Sequence, residues 1–157
     1  MLMKILACTD GSEQSHKALR EVAKLAEKLD GAEITVIYVD SKTPLTPSWA
    51  MGWAKEQGYS REDLRKRVKE LEEEIKQEER AKVFNEADKI FHEKNLETKK
   101  IIKEGHPATN IIEVASQQNF DLVVLGNRGL GGLRKLLPGS VSNAVAHEVK
   151  CSVLIVK

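Results

Sequence analysis

The sequence contains few cysteines, and the two that it has are far apart. Cys8 and Cys151 form no Cys-x-x-Cys pair and no Cys/His cluster at metal-ligand spacing. The sequence therefore gives no zinc site. Because each cysteine lies in or beside an apolar run, we predict two buried, reduced thiols rather than a disulfide or a redox pair.

An excess of charge and long apolar runs are also missing. Lys and Arg total 25 and Asp and Glu total 24, so the formal net charge is +1. Such a balance leaves no excess of positive charge that would attract nucleic acid or an anionic membrane surface. No apolar stretch approaches the roughly 18 residues of a spanning helix, and the N-terminus runs into a strand-like segment without a signal-peptide pattern. We predict a cytoplasmic protein with no nucleic-acid or membrane partner.

The first forty residues predict a strand, a helix and a second strand. Ile5 to Cys8 is an apolar run that ends at Thr9-Asp10-Gly11, and Ile34 to Val39 is another run, rich in β-branched residues. Ser12 is a residue type that favours a helix N-cap. Apolar residues then recur at helical spacing: Ala18, Leu19, Val22, Leu25, Ala26 and Leu29. A βαβ unit of this kind implies parallel strand pairing.

The C-terminal part of the chain predicts three more strands separated by helices. Glu97 to Lys103 is a lysine-rich strand typical of a sheet edge, and Pro107 occupies a favoured first position of a helix. Asp121 to Gly126 is the clearest strand, a helix starts at Ser140, and Val153 to Val156 forms the last strand. We predict an α/β fold: a single-domain, open, doubly wound, parallel five-stranded sheet in the order 3-2-1-4-5, with helices on both faces.

The region from about residue 41 to residue 94 differs from the rest of the domain. Its first twenty residues contain prolines and glycines and predict a variable loop, and a long charged helix follows from Arg61. An apolar stripe with 4-3-4 spacing runs along the helix from Leu64 to Ile75. Such a narrow stripe indicates a helix that packs on a protein partner, or one that lies, largely solvated, across its own domain.

A glycine-rich loop follows the fourth predicted strand. Gly126, Gly129 and Gly139-Ser140 have the pattern Gly-x2-Gly-x9-Gly-Ser, and Arg128 adds positive charge. Glycines let backbone amides approach an anion, and the start of the next helix attracts phosphate. The alternative is an ordinary βα loop with a helix cap. In the predicted sheet, this loop meets the Asp10 turn in the crevice at the carboxyl ends of strands one and four.

This glycine pattern resembles the nucleotide motif of the ATP-binding universal stress proteins. Lys4 to Glu13 resembles the first strand and turn of that family, and the segments Asp121 to Gly126 and Cys151 to Val156 resemble its fourth and fifth strands. The resemblance covers nearly the whole chain and is poor only from Ser41 to about Arg80. Asn127 stands where Ser or Thr is more usual.

The resemblance implies that ATP is the cofactor and assigns its contacts. Asp10 and Val39 would face the adenosine end, and any Mg²⁺ or Mn²⁺ would be held largely by the phosphates. The residues implied for ribose and phosphates are Gly126, Gly129, Gly139, Ser140, Val141 and Ser142. The family further implies a stress-response or signalling protein whose nucleotide state is read by partners. A homodimer is expected through Val153 to Val156, because an apolar edge strand tends to pair with another.

Efficient catalysis is not predicted. Pro138-Gly139-Ser140 lacks the lysine that a P-loop places before its Ser or Thr, and no general base can be named. Hydrolysis of ATP is therefore expected to be slow or absent. Two alternatives stay open: an interaction module of the same fold that holds no nucleotide, and an adenylating enzyme of the ATP pyrophosphatase type. The latter class carries a Ser-Gly-Gly-x-Asp-Ser type loop after strand one, which Thr9 to Glu13 does not supply.

Overall fold

A computed structural model describes residues 2–29, 31–41, 52, 55–127 and 139–157. Most of the predicted 41–60 loop lies outside these residues. The chain divides into two compact units, Lys42–Ala81 and the remainder, Met1–Ser41 with Lys82–Lys157. The elements are β1 (Met3–Thr9), α1 (Glu13–Lys28), β2 (Ala32–Asp40), α2 (Arg61–His92), β3 (Thr98–Glu104), α3 (Pro107–Gln117), β4 (Leu122–Gly126), α4 (Ser140–Glu148) and β5 (Ser152–Val156).

The strands form one parallel sheet in the order β3-β2-β1-β4-β5. The predicted fold class and strand order are therefore confirmed. Ile5 in β1 pairs with Ile34 in β2 on one side and with Leu122 in β4 on the other. The central strand is thus the point from which the chain winds in both directions. In sheets of this type, ligands bind outside the carboxyl ends of the strands at that point.

Two apolar clusters cover the two faces of the sheet. Alternate residues of β1 point to opposite faces, so Ile5 belongs to one cluster and Leu6 to the other. The first cluster includes α1 and the last third of α2, where Phe91 is fully buried. The second includes α3 and α4. Because both faces are covered, the central strands read as continuous apolar runs without polar alternation.

The start of α1 is fixed by local contacts. Ser12 is the N-cap, and its side chain accepts a hydrogen bond from the backbone N–H of Ser15 at 3.2 Å, as predicted. Glu13 in the first turn pairs with Arg20, and that hydrogen bond holds the pKa of the Glu13 carboxyl below its usual value. His16 lies 3.2 Å from the Glu86 carboxylate of α2, which links α1 to the part of α2 that packs on the sheet.

The edge strand β3 carries the predicted lysines. Lys99 and Lys100 form ion pairs with Glu33 and Asp88 at 3.0 and 2.6 Å. Charged side chains on an edge oppose pairing with another sheet.

Within the described residues, no helix combines the length and the apolar composition needed to cross a bilayer.

Both cysteines are free thiols, but only one is buried. Burial raises the pKa of the Cys8 thiol far above its ordinary value, so this thiol is unreactive. The prediction of burial is wrong for Cys151, which is half-buried just before β5. Partial desolvation, helped by the charge of Asp121, still raises the pKa of the Cys151 thiol.

Candidate functional site

The candidate site is built around the carboxyl ends of β1 and β4. These strands are hydrogen-bonded neighbours, with Ala7 opposite Val124. The turn after β1 and the glycine loop after β4 therefore start side by side, as the predicted strand order requires. Because β1 also pairs with β2, the end of β2 lies on the other side of the same turn.

The turn after β1 is held in one conformation by its own side chains. Asp10 Oδ1 accepts a hydrogen bond from the backbone N–H of Ser12 at 3.0 Å. Thr9 Oγ1 accepts one from the backbone N–H of Gly11 at 3.2 Å and lies 3.1 Å from Ser15 Oγ. Gly11 has a φ of +78°, which favours glycine. The hydrogen bond from Ser12 holds the carboxylate of Asp10 at the carboxyl end of β1.

Gly126 lies against the first turn of α1. A Cβ atom at this position would be 2.8 Å from the carbonyl oxygen of Gln14 and 2.9 Å from its carbonyl carbon. Real Cβ atoms essentially never come so close to backbone. The glycine is therefore required for the close approach of helix to strand, whether or not an anion binds there. Sequence reasoning assigned Gly126 only a contact with ligand.

The two ends of the glycine loop are tied together by hydrogen bonds. The carbonyl of Asn127 accepts from the backbone N–H of Gly139 at 2.8 Å. The same carbonyl lies 3.2 Å from Ser142 Oγ, which also donates to the carbonyl of Gly139 at 2.9 Å. On the other side, the N–H of Asn127 donates to the carbonyl of Val156 at 2.8 Å. The loop therefore leaves the sheet and returns at one fixed point.

Ser142 has a different environment from the one that sequence reasoning assumed. Its side chain is 2% exposed, and its hydroxyl proton is directed to backbone carbonyls. In this structure Ser142 joins the loop ends; its contact with ribose or phosphate, which the family resemblance implies, stays a prediction. Ser140, the first residue of α4, is exposed.

The start of α4 offers backbone donors to an anion. Gly139 is the N-cap and has no side chain to accept from the first amides of the helix. Amides of a first helical turn have no partner within their helix and attract negative charge. Val141 is half-buried against the second apolar cluster, which anchors this turn to the sheet. Arg128 and Gly129, the other predicted loop contacts, lie outside the described residues.

The end of β2 completes the described part of the crevice. The last residue pair between β1 and β2 is Thr9 with Tyr38, so Val39 and Asp40 extend beyond β1. The side chain of Val39 is buried, which leaves backbone groups as its means of contact with a ligand, as the sequence analysis expected. Asp40, 4% exposed, is a buried carboxylate that sequence reasoning missed. Its place directly after Val39, at the carboxyl end of a strand, was the available signal.

The donors in the crevice also bear on metal binding. Throughout the described ranges, no group of three or more His, Cys, Asp or Glu side chains could hold a metal ion. Asp10 comes directly after β1, and Asp40 is the last residue of the neighbouring strand β2. A cation at this edge would therefore take most of its ligands from a bound phosphate group.

Sequence comparison finds clear relatives. The profile of the universal stress protein family matches residues 1–157. Universal stress protein YxiE of Bacillus subtilis is 31% identical over 157 residues, which cover 100% of both chains. Universal stress protein MJ0531 of Methanocaldococcus jannaschii is 32% identical over 155 residues, which cover 98% of this chain and 81% of that protein.

Solved structures share the fold. Protein MJ0577 of Methanocaldococcus jannaschii has a TM-score of 0.73 at 26% identity, covering 100% of this chain and 96% of that chain. A universal stress protein in complex with cAMP has a TM-score of 0.64 at 22% identity, covering 99% and 96%. A universal stress protein from Archaeoglobus fulgidus in complex with dAMP has a TM-score of 0.60 at 17% identity, covering 100% and 98%. The identities of these last two support the fold alone.

The packing of Gly126 leads to a first prediction. Gly126→Ala should lower the free energy of unfolding by about 1–3 kcal/mol, because the new Cβ must displace the backbone of α1. Urea denaturation followed by circular dichroism measures the change. Gly139→Ala is the control, since its φ of −58° and ψ of 148° suit any residue, and it should cost less than about 1 kcal/mol. Equal effects of the two substitutions would contradict the packing role of Gly126.

The hydrogen bonds of Ser142 lead to a second prediction. Ser142→Ala should lower the free energy of unfolding by about 1 kcal/mol, because the one hydroxyl proton shared by the carbonyls of Asn127 and Gly139 is lost, while each carbonyl keeps a backbone N–H donor. Ser140→Ala, at an exposed position two residues away, should change it by less than about 0.5 kcal/mol. Urea denaturation of both variants tests this difference. A Ser142→Ala variant as stable as the parent protein would show that the loop ends are held by other contacts.

Proposed function

We propose, for a chain that belongs to the universal stress protein family, that it binds ATP in the crevice between β1 and β4. It would act as a nucleotide-dependent binding protein in a stress response or in signalling, with slow hydrolysis of ATP or none. The observation that carries the proposal is the closed glycine loop, whose ends meet at Asn127 and Gly139 and lead directly into the start of α4.

The parts of the site divide between the two ends of the nucleotide. The start of α4 supplies backbone amides for phosphate, and Arg128 supplies charge in the same loop. Asp10 repels phosphate, so its carboxylate fits the ribose or base, where it accepts hydrogen bonds, or a cation. Val39 presents backbone groups at the adenine end. The proposed contacts to ribose and phosphates are Gly126, Gly129, Gly139, Ser140, Val141 and Ser142, with Ser142 acting at least partly through the loop that it closes.

Proteins of the same fold support an adenine nucleotide as the ligand. One is known in complex with cAMP and another in complex with dAMP. Both ligands have an adenine, a pentose and a phosphate, which are the groups that the proposed site would contact. The preference for a triphosphate comes from the Gly-x2-Gly-x9-Gly-Ser pattern, which resembles that of the ATP-binding branch. The phosphates would carry most of the coordination of any Mg²⁺ or Mn²⁺, with Asp10 as the nearest protein carboxylate at the β1 turn.

Slow turnover follows from the same residues. The residue directly before Ser140 is Gly139, so the lysine that a P-loop places at this position for the β and γ phosphates is absent. Asp10 is held by the N–H of Ser12 at the end of β1 and is assigned to the adenosine end. A site with these parts stabilises bound ATP more than the transition state of its hydrolysis.

ATP binding is tested by the nucleotide that the purified protein releases and by titration of the protein with ATP. Protein that has been purified and then denatured should release adenine nucleotide, and calorimetric titration of the nucleotide-free protein should show ATP binding. Gly129→Val should weaken that binding at least tenfold, about 1.4 kcal/mol, because a side chain enters the motif where backbone must approach phosphate. Gly52→Val, outside the motif, is the matched control. Binding that survives Gly129→Val would refute the site, and no adenine nucleotide binding by the parent protein would refute the function.

Self-association through β5 is the second part of the proposal. β5 is an edge strand of the sheet, and the sequence from Val153 to Val156 is apolar and half-buried. An apolar edge strand with unpaired backbone groups favours pairing with a second copy. Light scattering at micromolar concentration should therefore give at least twice the chain mass of 17.6 kDa. A mass of one chain would contradict the proposed dimer.

A further inference from the structure

The first half of α2 carries an apolar stripe at its surface. The stripe consists of Leu64, Val68, Leu71 and Ile75, all within the unit Lys42–Ala81. Leu71 and Ile75 are 42% and 40% exposed, and the other two residues are half-buried. In the second half of α2, by contrast, Phe84 and Phe91 are buried in the core. The stripe is a separate apolar surface, and its spacing is that of a helix that pairs with another helix.

The charges beside the stripe are sorted by sign. When the stripe occupies the a and d positions of a heptad, the flanking e and g positions hold Arg65 and Arg67 near the start and Glu72 and Glu74 near the end. Such flanking positions decide which helix pairs and in which direction. Arg65, Arg67 and Glu74 are exposed, and Glu72 is half-buried. Arg67 also pairs with Glu70 at 3.3 Å on the same helix, an exposed contact that contributes little.

Two copies of this segment match each other when they run in opposite directions. Leu64 of one copy then lies opposite Ile75 of the other, and Val68 lies opposite Leu71. In this register Arg65 faces Glu72, and Arg67 faces Glu74. Since each contact occurs twice in a two-fold arrangement, all four flanking contacts bring opposite charges together.

A parallel pair fits the charges less well. In a parallel pair each g residue meets the e residue five positions later in the other helix. Arg67 would then meet Glu72, which is favourable, but Glu74 would meet Glu79, which is repulsive. The charge pattern therefore selects the antiparallel arrangement.

We propose that residues 64–75 of α2 form an antiparallel helix pair with the same residues of a second copy of this chain. The proposal does not depend on nucleotide binding or on the β5 contact. The apolar core of the pair spans about two heptads in each copy, so the contact is small and its strength depends on the flanking charges. Together with a two-fold contact at β5, it would produce a closed tetramer or an open chain of copies.

Charge reversal on one flank tests the pair. Arg65→Glu with Arg67→Glu should weaken self-association through α2 about tenfold or more, because four attractive contacts become repulsive. Glu72→Arg with Glu74→Arg should do the same. An equimolar mixture of the two double variants should restore association, because every contact between unlike chains is again between opposite charges. Sedimentation velocity at low salt measures each sample, and about 1 M NaCl should reduce the differences between them.

Matched controls separate this effect from net charge and from folding. Lys66→Glu with Lys69→Glu, and Glu62→Arg with Glu73→Arg, change the net charge by the same amounts at positions away from the stripe. These variants should associate like the parent protein. If both flank variants and both controls keep the parent mass, the helix pair is refuted and the stripe is covered by other residues of its own chain. If a flank variant and its control lose association equally, net charge explains the result and the pair is also refuted.

Disulfide trapping tests the direction of the helices. A mixture of Leu64→Cys and Ile75→Cys chains should form a mixed disulfide under mild oxidation, because these positions face each other in the antiparallel register. Chains with Leu64→Cys alone should not cross-link to one another. The parent protein, with Cys8 and Cys151, gives the background. Efficient cross-linking of Leu64→Cys chains to themselves would overturn the antiparallel arrangement.

Discussion

The structure depends on the position of β1 at the centre of a parallel sheet, with β2 on one side and β4 on the other. From this strand the chain winds in both directions, and both faces must be covered by helices if the apolar strands are to be buried. The turn at Asp10 and the loop at Gly126 leave neighbouring strands, so they lie together at one edge. The proposed binding site is at this edge because of the topology, and no single residue is needed to bring the two loops together.

The two ends of the glycine loop are joined to the scaffold by close contacts. Gly126 lets the first turn of α1 press against the end of β4, and the carbonyl of Asn127 receives both the N–H of Gly139 and the hydroxyl of Ser142. The two ends of the loop are therefore hydrogen-bonded to each other just before α4 begins. Backbone amides at the start of a helix bind an anion well only when they are held in place, and these contacts hold them. Gly126 can thus serve both the packing of α1 against β4 and the proposed binding of phosphate.

The long helix α2 has two halves with different surfaces. The second half buries Phe84 and Phe91 against the sheet and is joined to α1 through His16 and Glu86. The first half carries a narrow stripe flanked by basic residues at its start and acidic residues at its end. A surface of that kind is self-complementary only in the antiparallel direction, which is why a second copy is the partner proposed for it. The proposed nucleotide site and the proposed helix pair therefore use different residues of the chain.

The sequence by itself was sufficient to predict the strands, the cap at Ser12, the βαβ unit and the strand order. The strands, the cap and the βαβ unit depend on short-range patterns: apolar runs where strands are buried on both faces, helical spacing in α1, and lysines on the edge strand β3. The strand order was predicted from the usual arrangement of doubly wound sheets and not from a local pattern. The sequence also predicted that the turn at Asp10 and the loop at Gly126 start at the same edge, because parallel strands place their carboxyl ends at one edge. The tertiary structure alone revealed that Gly126 contacts Gln14, that Ser142 is bonded to backbone carbonyls, that Cys151 is half-buried and that Asp40 is buried beside the site. Each of these features depends on the neighbours that folding brings to a residue. Most of these neighbours come from distant parts of the chain, so no local sequence pattern specifies them.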